Sequence, residues 1–385
     1  MRGVRVVDFT RVLAGPWAAQ HLADQGADVV KVEPPEGDET RAFAPHVNGT
    51  STYFVSCNRN KRSIVLDLRT SAGRRVARAL ADGADVLLHN WRPGIDARMG
   101  LDAPTCLARN PRLVHVSLSA FGADGPPEWT SRAGYDLVLQ AMGGAMSFTG
   151  APGAAPARAG TPIADLTAGL LVTNAVLQGL LHRATCGAGQ AVVVNMMHAQ
   201  AACLVYHYSR YTVTGEAEEQ RGNAHRGLVP YDVYPCADGH LAIACGNDGI
   251  WQRLRAALGL PDEPRWRTNP GRVADRRAVD DAVRAQLASW SAEEADRRLA
   301  AAEVPCGRVQ GVADVVGHPA VHEVAFDHPA LGRVRVPGPI LSTATTRAVH
   351  DRPPLLGEHR DEVLAELGLG AEAEALAAGG AFGAP

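Results

Sequence analysis

Within its first 120 residues the chain alternates between two hydrophobic periods, and that alternation restricts the fold more than any other feature. Short β-branched or apolar runs at 4–9, 29–32, 64–68, 86–88 and 113–118 are separated by stretches with helical spacing. The first helical stretch, GPWAAQHLADQGAD at 15–28, stops at Gly26, and a second at 72–81 stops at Gly83. Runs that are apolar at consecutive positions must be covered on both faces, which predicts βαβ units around a parallel sheet. The turn after the first run reads RVLAGP rather than GxGxxG, so a dinucleotide fingerprint is absent. Residues 135–215 read as mainly helical, with one strand at 191–194. From about residue 229 the texture changes. Strand-like runs at 229–234 and 241–245 flank the turn Ala237-Asp238-Gly239, and amphipathic helices follow at 249–258, 273–288 and 292–302. The expected fold class is α/β, with a large first domain over 1–215, a smaller α+β domain over 216–325, and a return segment to the large domain over 326–370. A disordered Ala/Gly/Glu tail is expected over 371–385.

A length of 385 residues accommodates two domains, and a net charge of −3 argues against nucleic acid as a bulk partner. Of 38 basic residues only Lys31 and Lys61 are lysines, which reads as codon bias. Seven scattered cysteines without a CxxC pair suit reduced thiols in a cytoplasmic protein. The N-terminus meets Asp8 too early for a signal peptide, and the apolar stretch 163–181 carries too many polar residues for a membrane span. It reads as a buried helix. His318 and His322 stand four apart, but Pro319 lies between them and no Glu completes a site, so no metal is expected. GxSxG and P-loop motifs are absent.

The remaining candidates lie where elements end. Asp165 in GTPIADLTAG is a lone carboxylate in an apolar stretch; it reads either as an N-cap where a helix starts or as a nucleophile held there. HNWRPGIDARMG at 89–100 follows a strand and gathers Asn90, Trp91, Arg92 and Arg98, a set suited to an adenine ring and phosphates. Arg41, Arg59, Lys61, Arg62 and Arg69 add basic groups near strand ends. His225, in a Gly-bounded loop, reads as a substrate contact or as a turn residue.

At these residues the sequence resembles the class III CoA-transferases (CaiB/BaiF type). The resemblance rests on DFTRVLAGP at 8–16, GADVVKVEPP at 26–35, NRNKRSIVLDL at 58–68, ADVLLHNWRPG at 84–94, GYDLVLQAMGGAMSFTG at 134–150, GTPIADLTAGL at 160–170, VPCGRV at 304–309 and RPPLLGEHRDEVLAELGL at 352–369. GNAHRGLVPYDVY, VPGPILS and RPPLLGEH look most like the succinate–hydroxymethylglutarate branch. The resemblance implies a Rossmann-like large domain and a smaller domain in an interlocked homodimer. It also implies CoA thioesters as substrates, with no permanently bound cofactor, and transfer of CoA from a donor such as succinyl-CoA to a carboxylic acid, dicarboxylic in this branch. The nucleophile motif falls on Asp165. CoA contacts fall on Val12, Ala14, Leu66, Arg69, Asn90, Trp91, Arg98, Tyr135 and Asp136, with Arg41 added from the basic cluster. His225, Gly246 and Asn247 form the substrate-loop set. A carboxylate of ordinary pKa, ionised without a base, is expected at 165. Leu13 and Pro34 depart from the formyl-transfer pattern, and Tyr135 stands where racemases place a catalytic histidine. Val193, Asn195 and His198 also depart from the family's usual strand. The rival readings are an acyl-CoA racemase and a non-catalytic CoA-binding protein.

Overall fold

The computed structural model describes residues 1–344 and 346–383. The chain divides into two compact units. The first comprises Met1–Gly144, Ala159–Ser209 and the chain from His322 onward. It is built on six strands: β1 (Arg5–Asp8), β2 (Asp28–Glu33), β3 (Lys61–Val65), β4 (Val86–His89), β5 (Val114–Ser119) and β6 (Gln190–Asn195). Their order is β3-β2-β1-β4-β5-β6, all parallel, with Val6 opposite Val29 on one side and Val86 on the other.

The expected apolar runs form this sheet because successive side chains point to opposite faces. Val6, Val29, Leu88 and Val116 enter one core, shared with helices α1 (Ala14–Asp24) and, further along the chain, Ile163–Cys186. Val7, Val30, Ile64 and Leu87 enter the opposite core, under α2 (Ser71–Asp82) and the C-terminal helices. Thr70 caps α2 by accepting the Gly73 N–H at 3.0 Å. The chain then forms α3 (Asp136–Met142) and α4 (Ile163–Cys186). α4 is not buried all round as expected. Ala164, Ala168, Val172, Ala175, Val176 and Gly179 form a buried stripe, whereas Leu170, Leu177 and Leu181 are exposed. Small residues at helical spacing allow a close approach on one side only.

The segment after Gly370 also differs from expectation. Ala373–Ala378 is a helix, Leu376 and Ala381 are buried, and the Asp67 N–H donates to the Ala381 carbonyl at 2.7 Å. Alanine is the strongest helix former, and a few small apolar residues suffice to cover the remaining core face. The end of the expected tail, 384–385, lies outside the described residues.

The second unit comprises Ala145–Arg158 and Arg210–Val321. It holds an antiparallel sheet of β7 (Tyr231–Pro235), β8 (His240–Ala244) and β9 (Cys306–Arg308), with β8 central. Helices α5 (Asp248–Leu258), α6 (Arg276–Leu287) and α7 (Ala292–Ala301) supply Trp251, Leu254, Val279, Val283 and Leu299 to its core. The 145–158 segment joins this unit through Gln220, whose Nε2 donates to the Thr149 carbonyl at 3.1 Å, and through the Gly222 N–H donating to Gly150. No periodicity foretold that excursion, because loop-to-loop hydrogen bonds leave no repeat in the sequence.

Candidate active site

In the first unit the chain leaves β1 toward β2 on one side of the sheet and leaves β4 toward β5 on the other. At such a switch point the loops diverge beyond the strand ends and open a crevice. Asn90 bridges the crevice at its base: its Oδ1 accepts the Arg11 N–H (3.1 Å) and its Nδ2 donates to the Arg11 carbonyl (2.9 Å). Two adjoining clefts of about 520 and 500 Å³ open here and share Arg11, Trp91 and Ile95. Phe9, Leu66, Arg69 and Arg98 line the first; Val12, Asn90, Arg132 and Tyr135 line the second. Trp91 is supported by Phe9 at 5.0 Å and by the His89 ring stacked at 4.8 Å. Burial drives the His89 pKa down to about 3, so this ring stays neutral. Arg11 pairs with Glu39 at 2.9 Å, and Arg69 with Asp67 at 2.8 Å. An aromatic plate flanked by arginines can take a flat base and phosphates.

Asp165 occupies the third position of α4. It does not cap its own helix. The residue preceding the helix, Pro162, offers no side-chain cap, and Asp136 at the start of α3 serves instead: its Oδ1 accepts the N–H of Ala164 (2.9 Å) and of Asp165 (3.4 Å). Gln140 Nε2 fixes the other Asp136 oxygen at 2.7 Å. The carboxylate of Asp165 accepts no hydrogen bond among the described residues. Its pKa is pushed up to about 7, first by burial and then by the Asp136 charge. This corrects the expectation of an ordinary, fully ionised carboxylate. The partial positive charge at a helix start would favour ionisation, but Asp136 already occupies the amides that carry it. Tyr53 lies within the same field. Burial, then Cys57, Asp165 and Asp136, raise its pKa to about 12 and keep the phenol protonated.

The predicted set divides. Val12, Leu66, Arg69, Asn90, Trp91, Arg98 and Tyr135 meet on the clefts. Ala14 is buried behind them at the start of α1, and Asp136 is a helix cap beside Asp165 rather than a cleft wall. Arg41 lies off both clefts; two 2.7 Å bonds tie it to buried Glu33, and its guanidinium covers the Phe54 ring at 3.6 Å. Arg59 pairs with buried Asp24 and Lys61 with buried Asp8, while Arg62 binds Asp28 and Glu366. Arg59 and Lys61 are therefore internal glue, and Arg62 on β3 ties the sheet edge to a C-terminal helix. In the second unit the His225 Nδ1 accepts the Gly227 N–H at 3.1 Å, and its ring stands 5.2 Å from Tyr231. Asn247 caps α5 by accepting the Ile250 N–H at 3.0 Å, and Gly246 stands in open space. Sequence reasoning missed Tyr53, Arg132 and the buried lysine pairs. Only the pairs left a trace, two lysines among 36 arginines.

Comparison with known proteins matches this architecture. A family model described as CoA-transferase family III fits residues 1–360. A succinate–glutarate CoA-transferase of Agrobacterium fabrum is 37% identical over 383 residues, covering 95% of each chain. A succinyl-CoA:mesaconate CoA-transferase of Haloarcula hispanica is 36% identical, covering 95% of this chain and 96% of its own. A crystal structure of a CaiB/BaiF family protein from Brucella suis superposes with a TM-score of 0.83 at 37% identity, covering 95% of this chain and 98% of that one. With its parallel sheet, its switch-point crevice and agreement along nearly its full length, the chain belongs to CoA-transferase family III.

Proposed function

We propose that this protein, as a homodimer, moves CoA from succinyl-CoA to a second dicarboxylic acid, with Asp165 as the nucleophile. The observation that carries the reading is the Asp165 carboxylate itself: without a hydrogen bond among the described residues, at the start of a helix whose amides are capped by Asp136, the residue directly after the cleft residue Tyr135. A carboxylate without its own hydrogen bonds keeps its lone pairs for attack, and its raised pKa makes it the more basic nucleophile. The names of the relatives agree in using succinate or its thioester with another dicarboxylate.

The nucleotide end of succinyl-CoA is assigned to the first cleft, with its base against Trp91 and its phosphates toward Arg69 and Arg98. One Asp165 oxygen attacks the thioester carbonyl, the C–S bond breaks, and CoA leaves as thiolate, giving a succinyl–aspartyl anhydride. The thiolate then attacks the aspartyl carbonyl, the bond to the succinyl oxygen breaks, and succinate leaves with an aspartyl–CoA thioester behind it. The acceptor carboxylate displaces the thiolate to form a second anhydride. The thiolate attacks the acceptor's carbonyl, which regenerates the Asp165 carboxylate and releases the new thioester. Each step conserves charge and needs no added base. Rate comes from holding the partners together, worth effective molarities of ~10⁵ M or more.

The test is incubation with succinyl-CoA and a panel of dicarboxylic acids, following new thioesters by mass. Hydroxylamine added to enzyme and succinyl-CoA alone should leave a hydroxamate on Asp165. Deuterium uptake at Cα without acceptor would favour racemisation, and absence of both product and hydroxamate would favour a binding protein.

A further inference from the structure

The two lysines of the chain are both buried, with no side-chain exposure, and both lie under the turn that leaves β1. Lys31 Nζ donates to Asp38 Oδ2 (2.8 Å) and to the Thr10 carbonyl (3.0 Å). Lys61 Nζ donates to Asp8 Oδ2 (3.1 Å), to Asn58 Oδ1 (2.9 Å) and to the Pro16 carbonyl (2.8 Å). The second oxygen of each aspartate also reaches this stretch of backbone, although Asp38 Oδ1 accepts the N–H (2.9 Å) and hydroxyl (2.7 Å) of Thr40 as well. Asp8 Oδ1 accepts the N–H and hydroxyl of Thr10, and Asp38 Oδ1 accepts the Val12 N–H at 3.3 Å.

Asn90 holds both backbone groups of Arg11, and the Cys57 thiol faces the Val12 carbonyl at 3.8 Å. Every backbone polar group of residues 10–12 is thus met by a side chain. Ordinary turns satisfy such groups with water or with neighbouring backbone. This turn is also strained: Val12 has φ of 72°, a left-handed region that a β-branched residue seldom enters. Such a conformation persists only where its surroundings dictate it.

The turn has two neighbours that matter. Arg11 and Val12 form the crevice wall. Directly after it, α1 abuts α4 one turn beyond Asp165: a Cβ on Gly169 would stand 2.9 Å from both the Ala14 carbonyl oxygen and the Trp17 ring. We infer that Lys31 and Lys61 are positioning residues, which through Asp38 and Asp8 fix the turn at 10–12 and thereby set the crevice wall against the helix that carries Asp165. Buried ion pairs contribute little net stability, so stability alone does not account for a pair placed here. The choice of lysine follows from shape. A compact ammonium on a flexible stem can reach two or three converging acceptors, which a planar guanidinium cannot do in the same space.

This inference rests on Asp165 being the nucleophile, and its test separates the two. Lys31→Met combined with Asp38→Asn removes both charges together, so neither is left buried and unpaired, and keeps an acceptor for the Thr40 N–H and hydroxyl. Thermal midpoint and gel filtration verify the fold. The expected result is a rate of Asp165 hydroxamate formation lowered about 10²-fold, the scale of an ångström-sized misplacement, with KM for succinyl-CoA changed less than about threefold. Labelling at the wild-type rate in the folded double variant overturns the inference. On the wild-type protein, hydrogen exchange by mass spectrometry of a peptide spanning 9–13 should show slow exchange at Arg11 and Val12, and exchange as fast as an open loop overturns it equally, whether or not the variant folds. A wild-type enzyme that never labels at Asp165 defeats the nucleophile assignment instead, while the exchange measurement still reports whether the turn is held.

Discussion

Asp165→Asn should stabilise the protein while abolishing transfer, and the stabilisation should depend on pH in a defined way. The carboxyl has a pKa of about 7 in the folded chain against an ordinary aspartate value of 3.8. Between these values the folded state holds a proton that the unfolded state has released, so stability falls as pH rises. The loss begins near pH 4, grows by about 1.4 kcal/mol per pH unit, and levels off above pH 7 at ~4 kcal/mol for a shift of about three units. Partial exposure of the residue makes that an upper figure. An asparagine has no proton to lose. Urea unfolding of wild type and Asp165→Asn at pH 4.5, 6, 7.5 and 8.5 should therefore show a gap of less than about 1 kcal/mol at the lowest pH, widening by a few kcal/mol at the highest. A gap independent of pH would show that the site does not raise the Asp165 pKa, and the account of burial and the Asp136 charge would fail.

Asp136→Asn removes the like charge but keeps an acceptor for the Ala164 and Asp165 amides. The pH midpoint for Asp165 hydroxamate formation should move to lower pH by about one unit, read from the labelling rate between pH 5 and 8. Arg98 makes no side-chain hydrogen bond or ion pair among the described residues and lines the first cleft, so Arg98→Ala should raise KM for succinyl-CoA about tenfold with little change in kcat. An unchanged KM would remove the phosphates from that cleft. Leu376→Ala should lower unfolding free energy by about 2–3 kcal/mol in urea titrations. A cost near zero would mean that the C-terminal helix does not hold its docked position in solution.

The strands of the large sheet were legible because burial on both faces forces consecutive apolar residues, a local property. Only the edges moved: the run expected at 64–68 is a strand at Lys61–Val65, since parallel pairing with β2 recruits the polar residues before it. Trp91 and Arg98 were legible as cleft residues because the ends of parallel strands are where an open crevice forms, whereas Tyr135 was legible only through the family resemblance. Arg41, Arg59, Lys61 and Arg62 were misplaced for the opposite reason. A basic residue looks the same in sequence whether its partner is a ligand phosphate or a carboxylate from a distant strand, and Glu33, Asp24, Asp8 and Glu366 were already those partners.

The amino-acid order alone settled the alternation of strand and helix, the family motifs and the position of the lone carboxylate, because each is written in neighbouring residues. The tertiary structure decided the state of that carboxylate. Asp136 lies 29 positions away, yet it caps the helix and crowds the charge, and only folding brings the two together. The same holds for the 10–12 turn, whose backbone is met by side chains from five separate places in the chain. Charge and strain depend on distances in space, and the linear order of residues does not contain those distances.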